Sequence, residues 1–123
     1  MNFMQLLQWQ WKDYGLYHQH KTNLLLHIVA VPLFLLSSLL LLLAMFTLSA
    51  LTGVLALAGM AISLAAQGRG HKMEAVAPIP FSSRGNAISR LLVEQWIPFP
   101  RFVLSGGWYR NLVRAGKAPT ILE

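Results

Sequence analysis

The chain has 123 residues, 55% of them hydrophobic and only 11% charged, with a net charge of +6 and a mean hydropathy of +0.51. A soluble domain averages about 25% charged residues, so this composition points to an integral membrane protein built as a single domain, 1–123. With no cysteine, disulfides and thiolate ligands are excluded. The basic residues sit singly around apolar segments, which fits the cytoplasmic side of a membrane and argues against a nucleic-acid partner.

Residues 1–14 read as an interfacial amphipathic helix. Phe3, Leu6, Leu7, Trp11 and Tyr14 fall near one face, and Gln5, Gln8 and Lys12 fall on the other. No basic stretch precedes an apolar core, so the segment does not read as a signal peptide. Trp9, Trp11, Tyr14 and Tyr17 suit the headgroup layer, where a ring with a polar edge is at home. From Leu24 to Ala66 there is no Asp, Glu, Lys or Arg. As helix this run is roughly 64 Å long, about twice a hydrocarbon core of ~30 Å. Thr47, Ser49, Thr52 and Gly53 are weak helix formers among leucines and mark a break, predicting transmembrane helices over 23–46 and 50–67. Pro32 should bend the first. Gly53, Ala56 and Gly59 give the second a small-residue side for close packing. Lys12 and Lys21 precede the pair, eight Lys or Arg follow it, and none lies between. That asymmetry predicts a hairpin with both termini cytoplasmic.

Pro78 and Pro80 interrupt regular helix, and Phe81–Asn86 is turn-like. Residues 86–108 read as an amphipathic or re-entrant segment. Ile88, Leu91, Leu92 and Trp96 share one face with Arg90 and Glu94 opposite, and an aromatic stretch broken by Pro98 and Pro100 follows. The tail beyond Arg110 is polar and expected to be loosely ordered. The expected fold class is an all-α integral membrane protein, a transmembrane helical hairpin with flanking interfacial amphipathic helices.

Three of the four histidines, His18, His20 and His27, lie at the mouth of the first long helix. Polar side chains there are costly and usually have a task. His20, Asn23 and His27 are three and four residues apart and line one side of a helix. His18 joins them only if the helix begins after it. The hairpin returns Gln67, His71 and Glu74 to the same end. Neutral imidazoles bind zinc, iron, copper or nickel, and two histidines with a carboxylate and open positions is the usual arrangement of non-haem Fe(II) oxygenases. Candidate ligands are thus His18, His20, His27 and His71, with Glu74 as a ligand or an outer base. Asn23 is a candidate to orient a ligand or hold substrate. Arg69, Lys72 and Arg101 could attract an anionic substrate, or anchor the chain at the inner membrane face. The competing reading is a non-enzymatic lipid-binding or scaffold protein whose histidines only hold the hairpin together.

Tyr17-His18-(x)4-Asn23-(x)3-His27-(x)4-Pro32, followed after the apolar pair by Gln67-x-x-Gly70-His71-x-x-Glu74-(x)3-Pro78, resembles the membrane 2-hydroxy fatty acid dioxygenase family. That family comprises a fungal enzyme of phytosphingosine and fatty-acid α-oxidation and short bacterial-type relatives. The likeness spans roughly Tyr17–Pro80. The fungal member has one more residue between its Gly-His pair and its Glu, and additional membrane segments. The resemblance implies an Fe(II) enzyme, with zinc as the other candidate metal, that uses O2 to shorten a 2-hydroxy fatty acid by one carbon. It implies His18, His27 and His71 as ligands, with His20 a neighbour outside the pattern. Asn23, Gln67, Gly70, Glu74 and Pro78 match other motif positions, with Glu74 and Asn23 expected as catalytic and Gln67 as substrate-binding. Beside them, Arg69 and Lys72 are expected to bind substrate by their charge and not by the resemblance. The lipid bilayer, a bacterial inner membrane, is the expected setting. The exposed apolar surface of two crossings would be covered by lipid or by a second copy in a homodimer.

Overall fold

The computed structural model describes residues 1–117. Every regular element among them is helical: α1 Phe3–Lys12, a 3-10 turn over Tyr14–Tyr17, α2 Lys21–Thr47, α3 Ala50–Lys72, α4 Arg84–Trp96, α5 Pro98–Leu104 and α6 Gly107–Ala115.

Local sequence accounts for the breaks. Asn2 and Gln5 form a reciprocal capping box that starts α1. The 3-10 turn carries the chain from α1 past His18, and α2 begins only at Lys21, with the His20 ring accepting the Thr22 N–H at 3.1 Å. α2 is continuous through Pro32. It ends at Leu48, a non-glycine residue with φ of 52°, and the Ser49 hydroxyl then accepts the Thr52 N–H to start α3. Only Leu48 and Ser49 separate the two helices, so α3 must turn back along α2. Small residues set how closely they approach: Gly53 faces Ala44, Gly59 faces Ser37 and Gly70 faces Asn23. The Ser63 hydroxyl donates to the Ala30 carbonyl in the same register.

At 27 and 23 residues, α2 and α3 are both long and apolar enough to cross a membrane. The 23–46 and 50–67 boundaries lengthen to Lys21–Thr47 and Ala50–Lys72. The extension matters, because the last turn of α3 carries His71.

The segment expected over 86–108 resolves into α4, α5 and α6. Pro98 occupies the first position of α5, where its missing N–H breaks no hydrogen bond. The tail beyond Arg110 is not loose through Ala115. It forms α6, because Trp108 and Leu112 pack on the core of Tyr14, Leu24, Val31, Phe99 and Phe102. The Trp108 indole N–H also donates to the Leu24 carbonyl at 2.9 Å. Residues 118–123 lie outside the described part. α4 is inverted relative to a helix on a water-facing core: Ile88, Leu92 and Trp96 are exposed while Gln95 is fully buried.

Candidate metal centre

Four side chains from four different elements meet where α2 begins and α3 ends. His18 lies in the short stretch between the 3-10 turn and α2, His27 in the second turn of α2, His71 in the last turn of α3 and Glu94 on α4. Their nitrogen and carboxylate donor atoms all lie within 4.8 Å of one another. The three imidazole rings sit 4.8–5.0 Å apart, centre to centre, and are nearly mutually perpendicular, at 77–89°.

The hydrogen bonds fix which nitrogen of two rings faces inward. His18 Nδ1 lies 2.7 Å from the Tyr14 carbonyl, and His27 Nδ1 lies 3.0 Å from the Asn23 carbonyl. A carbonyl only accepts, so each Nδ1 carries the proton and donates it. Each Nε2 is left as a bare lone pair. Both Nε2 atoms are buried and without a partner, as is Nδ1 of His71. Three buried ring nitrogens without partners are costly in a folded protein. One divalent cation would satisfy all three at once. A backbone carbonyl on the far nitrogen is also the usual support of a metal-ligating histidine. His18, His27, His71 and Glu94 are therefore a group that can hold a metal ion.

Glu94 is held from two sides. The Tyr14 hydroxyl donates to its Oε1 at 3.0 Å, and His18 Nε2 lies 3.5 Å from the same oxygen. Burial raises the pKa of its carboxyl. The imidazoles around it, His18 first and then His27 and His71, outweigh burial and hold the pKa at about 2. Burial, then the Glu94 charge, pushes the Tyr14 phenol well above its ordinary value, so it stays a donor. Its ring also stacks on His18 at 4.0 Å. Phe102 and Phe99 close the site, 5.9 Å from His18 and 5.8 Å from His27.

The other sequence candidates lie around this group. Glu74 is not among the four. Its two oxygens accept the backbone N–H groups of Gln19 and His20 at 2.9–3.0 Å and the Asn23 amide at 2.6 Å. It thereby ties the end of α3 to the start of α2. Asn23 is engaged in that clasp through its Nδ2. His20 caps α2 and is exposed. Gln67 is buried in a reciprocal amide pair with Gln95, 2.8 Å in each direction, and also donates to Ser63. Arg69 and Lys72 are exposed on the last turn of α3. Tyr14 and Glu94 were not singled out by spacing. The available signal for Glu94 was a carboxylate followed by Gln95 in an otherwise apolar run, Leu91 to Ile97.

No protein-family model, no characterised protein and no solved structure matches this chain.

Proposed function

We propose that the protein is a membrane-spanning, iron-dependent dioxygenase that shortens 2-hydroxy fatty acids by one carbon. The observation that carries the reading is three partnerless imidazole nitrogens and one carboxylate meeting at the polar end of two long apolar helices. A purely structural set of histidines would have both nitrogens of each ring satisfied, and here one of each is not. Three nitrogens and a carboxylate suit Fe(II), with Zn(II) as the competing ion. The substrate class follows from the motif resemblance around His18, His27 and His71.

The membrane setting is supported by what the helices expose. Only 28% and 17% of the most apolar stretches of α2 and α3 are buried, and Val29, Leu36, Phe46, Leu51 and Val54 are all more than 60% exposed. A surface of that extent is covered by lipid or partner protein, not water. The outward apolar edge of α4 fits the same setting. The charge asymmetry around the pair supports a cytoplasmic location for both termini.

Overall, a 2-hydroxy acid and O2 give the shorter acid, carbon dioxide and water. Four electrons leave the organic substrate and reduce one dioxygen, so no outside reductant is needed. Iron held by His18, His27, His71 and Glu94 would supply the one-electron redox chemistry that dioxygen requires. The chain supplies order and shelter. The Tyr14 and Asn23 carbonyls lock the His18 and His27 rings, and the Tyr14 hydroxyl holds Glu94. Phe99 and Phe102 keep water from the rings they cover. Arg69 and Lys72 give the same end a positive field for an incoming carboxylate.

Anaerobic loading with Fe(II) should give one metal per chain, and less than about 0.2 would reject the centre. Incubating the loaded protein with a 2-hydroxy fatty acid and O2 should yield the acid one carbon shorter by mass spectrometry. A metal-loaded protein that leaves the acid intact would keep the centre and reject the substrate.

A further inference from the structure

Four side-chain donors on one octahedral ion leave two positions free. A 2-hydroxy acid chelating through its hydroxyl and one carboxylate oxygen fills both. Dioxygen then has no position of its own, so one protein ligand has to yield when substrate arrives.

The four donors are not equally able to do so. His18 and His27 are buried, and each is tethered through Nδ1 to a backbone carbonyl of its own segment. Their Nε2 atoms have no other partner to turn to. His71 offers a buried Nδ1 that likewise has none. Glu94 stands apart from them. Its side chain keeps 17% exposure, against 3% for His18, and it stands on α4, outside the two long helices that hold His27 and His71. It also has a second side-chain partner already in place, the Tyr14 hydroxyl at 3.0 Å.

Charge points the same way. Adding a substrate carboxylate to an enclosed centre that keeps its own would bring an extra negative charge into a poorly solvated space, which is expensive. Exchanging one carboxylate for another leaves the charge of the metal's donor set unchanged, and the displaced Glu94 keeps the Tyr14 hydroxyl and its partial exposure to solvate it.

We propose that Glu94 is a displaceable ligand. It completes the resting centre, gives up its position when a 2-hydroxy carboxylate binds, and is then kept beside the site by the Tyr14 hydroxyl. In the exchange the Glu94–metal bond would break and two bonds to the acid, from its carboxylate and its hydroxyl, would form, and no oxidation state changes. This rests on the metalloenzyme reading above.

Cobalt(II) reports the change without turning over. Wild type, Glu94→Ala and Glu94→Gln are loaded with Co(II) under nitrogen, and visible spectra are recorded before and after adding 2-hydroxyhexadecanoic acid. Glu94→Gln keeps the side-chain shape and repeats the comparison if Glu94→Ala does not fold. The resting spectra should differ between wild type and variants, with Co(II) bound at least about tenfold more weakly by the variants. On adding the acid the spectra should converge, and the variants should bind it as tightly as wild type or more so.

Identical resting spectra would show that Glu94 never ligates and would overturn the proposal. Spectra that stay distinct with the acid bound would show that Glu94 remains on the metal, and would overturn it too. A wild-type spectrum unmoved by the acid would remove the displacement and the substrate class but leave the centre. A wild-type chain that takes up neither Co(II) nor Fe(II) would remove the centre itself.

Discussion

Glu74 and Glu94 are both carboxylates that follow the second long helix, and their surroundings separate their tasks. Glu74 accepts from two backbone N–H groups and the Asn23 amide, so Glu74→Ala should leave those donors unsatisfied. We expect the fold to lose about 1–3 kcal/mol while metal content stays near one per chain; thermal melts and metal analysis on the same sample check both. His18→Ala, His27→Ala or His71→Ala should instead lower metal content. Gly70 is needed because a Cβ there would strike the Asn23 amide oxygen and come within 3.3 Å of the Asn23 Cα. Gly70→Ala should therefore cost about 1–3 kcal/mol, read as a lowered Tm. For Glu94 the sign of the pH effect follows from its folded pKa of about 2, below the ordinary 4.5. Ionised Glu94 stabilises the metal-free fold above the ordinary value, and that contribution is lost as pH falls through about 2. The Tm advantage of wild type over Glu94→Gln should thus hold from neutral pH down to about 4.5 and shrink as pH falls from there toward about 2. The three histidines that meet here were legible as polar residues at a helix mouth and its partner end. Glu94 was not, because a carboxylate on an amphipathic helix reads as a solvated charge unless the helix is known to be turned over.

Among the elements, α4 shows what pattern alone does not reveal. Its periodicity announces a helix and its two faces, yet nothing local says which face meets the protein. The polar face turns inward because Glu94 and Gln95 find their partners there. Gln95 pairs with Gln67, one turn before His71 on α3, so the amide pair joins the elements that carry His71 and Glu94. Gln95→Leu should strand a buried amide and cost about 1–3 kcal/mol. Adding Gln67→Leu should recover part of that loss, a coupling that a double-mutant cycle measures directly. The two long helices were legible from their charge-free run. α6 was missed because its sequence is polar on average; its order comes from Trp108 and Leu112 on the core and from the Asn111 amide bridging the Gly15 and His18 carbonyls.

At the scale of the molecule, the centre draws its donors from before, within, at the end of and after the apolar pair. No short fragment contains all four, so a chain cut after α3 should hold metal at least about tenfold more weakly even though His18, His27 and His71 remain. Metal analysis of a 1–80 fragment in detergent micelles, with helicity checked by circular dichroism, tests this; retention with unchanged affinity would contradict it.

The Glu74 clasp also imposes an order on synthesis. As the ribosome delivers the chain, the Gln19 and His20 amides just ahead of α2 emerge bare, because their acceptor, Glu74, lies 55 residues from Gln19. That acceptor arrives only once α3 has been made and has turned back. The entry into α2, and with it the placement of His18, is therefore settled late in the passage of the chain from the ribosome, after Glu74 has been made. A nascent chain would carry its histidines through that passage without yet having a place for a metal.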